Sequence, residues 1–133
     1  MHGGDPERVS SSEDDVLRFV AASFPSVWAL ELLLALKRER RPWSREELVA
    51  TLRASELVVS RALEALAAAG LASFEDGGAI YLPVNADVDR LVEQVEQTYR
   101  TRPNAVRRAI IAASASSATA FADAFKLRRD TGD

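Results

Sequence analysis

The run from Ala29 to Leu36, Ala-Leu-Glu-Leu-Leu-Leu-Ala-Leu, carries a single polar side chain, Glu31. Wound as a helix it is apolar around nearly its whole circumference, wider than the single stripe of a surface helix. Such a helix has to be covered on two sides, so the rest of the chain must supply elements that wrap it. Pro25 breaks whatever helix precedes it, Ser26 is an N-cap residue, and the spacing predicts a helix over Val27–Arg38. With 133 residues, 47% of them apolar, the chain can build one core with a short appendage.

The flanking sequence offers the wrapping elements. Residues 1–11 are polar and glycine-rich and read as a disordered N-terminus. Ser12 with Asp15 starts a leading helix that continues through Val16, Phe19 and Val20 at helical spacing. Beyond the central helix, Ser44 and Glu47 form a capping box, with Trp43 and Leu48 placed as a hydrophobic staple. The helix it opens turns Leu48, Val49 and Leu52 inward. Ser55 caps a third helix, with Val59, Leu63 and Leu66 inward, and Gly70 stops it. Two strand-like segments follow, Leu71–Glu75 and Ala79–Leu82, around Asp76-Gly77-Gly78, a sequence suited to the positive φ of a tight hairpin. Pro83 closes this unit, which spans residues 12–83.

Residues 84–130 read as a helical extension. Val88, Leu91, Val92, Val95 and Tyr99 recur at three-four spacing, and Pro103 opens another helix with Val106, Ala109, Ile110 and Ala113 on one side. Ser114–Ala118 reads as a loose connection before a last helix that groups Phe121, Ala122 and Phe125. Leu91, Val95, Tyr99, Phe121 and Phe125 are the expected packing residues. They would lie on the over-apolar helix or on its copy in a second subunit, so a homodimer is expected.

Several function classes are excluded. The chain has no Cys, which removes disulfides, thiolate catalysis and Cys-based zinc sites, and its one His, His2, lies in the glycine-rich N-terminus. There is no His–carboxylate or Cys–His constellation, phosphate-cradling glycine loop or His-x-x-His spacing, so no enzyme, metal or cofactor is expected. Asp14/Asp15 and Asp87/Asp89 sit near helix starts, where acids are favoured. No apolar run approaches the length of a membrane span, and the acidic N-terminus lacks the basic-then-apolar order of a signal peptide, so the chain is expected to be soluble and cytoplasmic.

Three helices followed by a two-stranded hairpin are the ingredients of a winged helix. The segment Leu48-Val-Ala-Thr-Leu-Arg-Ala-Ser-Glu-Leu-Val-Val-Ser-Arg-Ala-Leu63 resembles the helix-turn-helix of bacterial winged-helix regulators of the MarR and ArsR type. The Ala67-Ala-Ala-Gly70-Leu71 ending before the hairpin is typical of them. The resemblance covers residues 26–83 and implies a mainly α winged helix-turn-helix fold, with a leading helix and a helical extension. It implies that the helix Ser55–Ala68 enters the major groove, with Ser55, Glu56, Leu57, Ser60 and Arg61 facing DNA and Gly77 and Gly78 at the wing tip. Arg53, also expected among the DNA- or partner-binding residues, stands at the turn position where such motifs often have glycine.

Charge qualifies that implication. Between Ala54 and Asp89 the only cation is Arg61, against Glu56, Glu64, Glu75, Asp76, Asp87 and Asp89. DNA affinity rests largely on cations meeting phosphates. The clamp would therefore come from Lys37, Arg38, Arg40, Arg41 and Arg45, just before the second helix of the unit. Two expectations follow: a transcriptional regulator binding duplex DNA as a homodimer, or an adaptor whose acidic, partly apolar face Glu56, Leu57 and Val58 binds another protein, such as a component of the transcription or signalling machinery. A second basic set, Arg100, Arg102, Arg107 and Arg108, suits a phosphate, an acidic partner or a solvated face.

Overall fold

The computed structural model describes residues 6–75 and 77–115. It is mainly helical with one small antiparallel sheet. The order is α1 (Pro6–Ser23), α2 (Val27–Arg38), α3 (Arg45–Leu52), α4 (Glu56–Ala68), β1 (Ala72–Glu75), β2 (Gly78–Tyr81) and α5 (Ala86–Thr101), with residues 103–115 forming α6.

The helix starts follow the local chemistry of the sequence. The Ser26 hydroxyl accepts from the Ala29 N–H at 3.2 Å, and the Ser44 capping box is complete, with Ser44 and Glu47 each accepting the other's backbone N–H. α4 ends in a Schellman arrangement. Gly70, at φ +75°, donates to the Ala67 carbonyl, and Leu71 donates to that of Leu66.

Two expected boundaries are corrected. Residues 6–11, expected to be disordered, belong to α1, which opens on Pro6, a residue whose fixed φ suits the first helical position. Ser114 and Ala115, expected in a loose connection, are helical, and the Ser114 hydroxyl donates to the Pro25 carbonyl at 3.0 Å. The last expected helix, with Phe121 and Phe125, lies outside the described residues.

The over-apolar helix is covered as its sequence requires. All its residues from Ala29 to Leu36 except Glu31 are buried, and α2 packs against α3, α4 and β2. The exception is accounted for, because Glu31 accepts the Tyr99 hydroxyl of α5 at 2.5 Å. One continuous core joins α2 to Val20 and Phe24 at the end of α1, to Leu63 and Leu66 of α4, to Val92 and Val95 of α5, and to Val106 and Ile110 of α6. The surplus apolar surface that motivated a second subunit is therefore absorbed within one chain. Val95 is fully buried, while Leu91 and Tyr99 are half-buried.

The hairpin pairs Ala72 with Tyr81 and Glu75 with Gly78, so two residues separate the strands. β1 ends at Glu75 as expected but begins one residue late, and β2 both begins and ends one residue early, since Gly78 belongs to β2 and Leu71 and Leu82 fall outside the ladder. A single bridge adds Trp43 to the free edge of β2: Trp43 donates to the Ala79 carbonyl at 2.9 Å and Ala79 returns the bond at 2.8 Å.

Candidate functional site

α3 and α4 are joined by a tight corner whose residues are set by hydrogen bonding. Arg53 ends α3 in the left-handed conformation, φ 55° and ψ 42°, and is the one non-glycine residue with positive φ among the described residues. Ala54 donates back to the Val49 carbonyl at 3.3 Å, and the Ser55 hydroxyl accepts from the Val58 N–H at 3.1 Å. Ser55 is thus committed to positioning the helix. α4 buries Val59, Ala62, Leu63 and Leu66 and presents Leu57, Arg61, Glu64 and Ala68 along one exposed stripe, with Ser60 half-buried beside it. Leu57 is 59% exposed.

The hairpin packs against the Leu63 side of α4. Phe74 shares a face with Ala72, Ala79 and Tyr81 but projects past the core and is 56% exposed. It overhangs a cavity of about 130 Å³ whose walls include Arg45, Leu63 and Glu75, so the start of α3, the middle of α4 and the hairpin meet there. Gly77, at φ +95°, is exposed between the strands. Gly78 is not a free tip, contrary to expectation. A Cβ there would lie 2.1 Å from the Trp43 carbonyl oxygen, so its role is to let the Trp43 backbone approach β2.

The cations expected to clamp phosphate divide into two groups. Lys37 is corrected: its ammonium donates to Glu96 of α5 at 2.9 Å, with both side chains mostly buried at 12% and 17% exposure. Arg41 is corrected as well. It bonds Glu39 and Glu47 at 3.1 Å each, donates to the Pro42 carbonyl, and lies over the Trp43 ring. Those carboxylates raise the Arg41 pKa. The Ser44 N–H, and then Arg41, hold the Glu47 carboxyl below its ordinary value. Arg40 stacks over Tyr81 at 4.9 Å, and Arg38 lines a cleft against α5.

Arg45, Arg53 and Arg61 are exposed and, among the described residues, have no ion pair. They sit at the first residue of α3, at the corner and on the α4 stripe. The nearby acids have structural reasons to be there: Glu46 and Glu47 occupy the first turn of α3, and Glu56 that of α4.

Two features escaped sequence reasoning. Besides the Trp43–Ala79 bridge, the Tyr81 hydroxyl donates to Asp89 of α5 at 2.6 Å, anchoring the hairpin base. Burial, reinforced by that carboxylate, pushes the Tyr81 pKa up. The Asp87/Asp89 pair does lie in the first turn of α5, behind an Asn85 cap that no pattern had marked. In the second basic set, Arg102 pairs with Glu13 at 2.6 Å, tying α5 to α1.

Among the described residues no group of three or more His, Asp or Glu side chains is placed to hold a metal ion. No single helix there is long and apolar enough to cross a membrane. No family model matches the chain, and neither curated proteins nor solved structures yield a match.

Proposed function

We propose that residues 26–83 form a winged helix-turn-helix and that the protein is a transcriptional regulator. In this reading α4 lies in the major groove of duplex DNA and the β1–β2 hairpin is the wing. The observation that carries it is the set of three arginines, Arg45, Arg53 and Arg61, that are exposed and, among the described residues, unpaired, two of them where stability would not choose a cation. Arg45 stands at a helix N-terminus, which disfavours positive charge, and Arg53 occupies a left-handed corner that suits glycine. Phosphate contacts account for cations retained at such positions. In this reading Leu57 would touch a thymine methyl, and Glu56 would accept from a cytosine amino group.

Three phosphate contacts per chain are few for a specific binder, so we propose that two copies act together on neighbouring half-sites. The test is duplex binding by fluorescence anisotropy across a salt series. A two-copy complex should give a slope of log K against log salt of about −5, and Arg45→Ala, Arg53→Ala or Arg61→Ala should each make it shallower by about one unit per contact removed. Absence of any binding at low salt would overturn the reading.

A second reading is favoured by the exposed Leu57 and Phe74 beside Glu56 and Glu75. In it the same face docks a basic, partly apolar protein surface, and the chain is an adaptor without DNA affinity.

A further inference from the structure

The cleft between α2, α5 and the start of α6 lies apart from the α4 face and has a different electrical character. Its volume is about 290 Å³, and its walls include Arg38, Arg100 and Arg107 together with Glu31, Glu96 and Tyr99. The two carboxylates are already engaged. Glu31 takes the Tyr99 hydroxyl at 2.5 Å, and Glu96 takes Lys37 at 2.9 Å.

The arginines are left over. Arg100 reaches Glu96 at 3.8 Å only, and Arg38 and Arg107 have no carboxylate partner among the described residues. Arg107 is preorganised: its guanidinium lies 5.5 Å from the Tyr99 ring centre and donates to the Tyr99 oxygen at 3.3 Å. That contact occupies one of its five N–H donors. Pro103, the first residue of α6, also lines the cleft, which adds the positive end of that helix. In a chain of net charge −3, three guanidiniums and a helix start line one concavity where Lys37 offsets Glu96 and the Tyr99 hydroxyl occupies one Glu31 oxygen, so the cations outnumber the acids.

The geometry points to a binding site for a small oxyanion of charge about −2, phosphoryl or dicarboxylate in type, held by Arg38, Arg100 and Arg107. The cleft volume sits at the lower end for ligand pockets, which selects a metabolite-sized anion over a polymer. The site joins α2 to α5 and is independent of whether α4 meets DNA.

The test is isothermal titration and thermal unfolding of the full chain with inorganic phosphate and with citrate, against sodium chloride at matched ionic strength. Saturable binding and a rise in Tm are expected with at least one probe, and their ratio separates phosphoryl from carboxylate ligands. Arg38→Gln and Arg107→Gln should each weaken binding about tenfold, whereas Arg61→Ala on α4 should leave it unchanged. Arg100→Gln replaces either cleft variant that loses its far-UV circular dichroism. A Tm rise that chloride reproduces, or unchanged binding in the folded cleft variants, would overturn the proposal. So would a cleft that responds to duplex DNA and to neither probe, because the arginines would then be backbone clamps.

Discussion

At Arg53 an L-amino acid holds a left-handed backbone at a cost of about 1 kcal/mol, because its Cβ crowds the following carbonyl. Glycine relieves that crowding but gains freedom in the unfolded chain, so the two effects partly offset. Arg53→Gly should raise stability by roughly 0.5 kcal/mol, read as a higher urea midpoint at constant slope. If the proposed phosphate contact is real, the same variant should bind duplex more weakly while being more stable. A loss of stability would mean that the side chain, and not the corner, is what the position requires. The serine caps were legible in the sequence because each bonds only three residues ahead. The partner of Lys37 was not, since Glu96 lies 59 residues away and no local pattern distinguishes a paired lysine from a free one.

The hairpin shows the same division at the scale of an element. Its existence follows from the alternating segments and the glycines, but the work of each glycine depends on what packs beside it. Gly77 faces open space, with Pro42 no nearer than 3.8 Å, while Gly78 abuts the Trp43 backbone. Gly77→Ala should cost about 1 kcal/mol, from its positive φ alone. Gly78→Ala must also break or displace the Trp43 bridge and should cost about 2–4 kcal/mol. Thermal unfolding of the two variants checks the difference, and near-ultraviolet circular dichroism should report a changed Trp43 environment only in the second. Equal losses would mean that the bridge contributes nothing. That bridge joins a single residue to a strand edge, too short a pairing to leave a periodic signal in the sequence.

Across the whole molecule, the demand of α2 for cover was plain from its composition and the flanking helices were legible as its cover, but not that one chain's elements would suffice. Helices α3 and α4 and strand β2 supply most of it, and α5 closes the polar side through Glu31–Tyr99 and Lys37–Glu96. Lys37 is consequently a fastener between elements. Lys37→Met keeps much of the packing volume but leaves Glu96 short of its main partner. It should cost about 1–3 kcal/mol in denaturant unfolding while leaving any duplex affinity within about twofold. A large drop in DNA binding without loss of stability would return Lys37 to the clamp.

The Trp43–Ala79 bridge also fixes how force can pass through the protein. Trp43 is bonded to β2 by its backbone, to the Glu39 carbonyl at the foot of α2 by its indole N–H at 3.0 Å, and to the start of α3 by chain connectivity. Hairpin and corner therefore act as two arms of one lever with its fulcrum at a buried indole. Anything that pries Phe74 outward will also tug on α3 and on the end of the central helix.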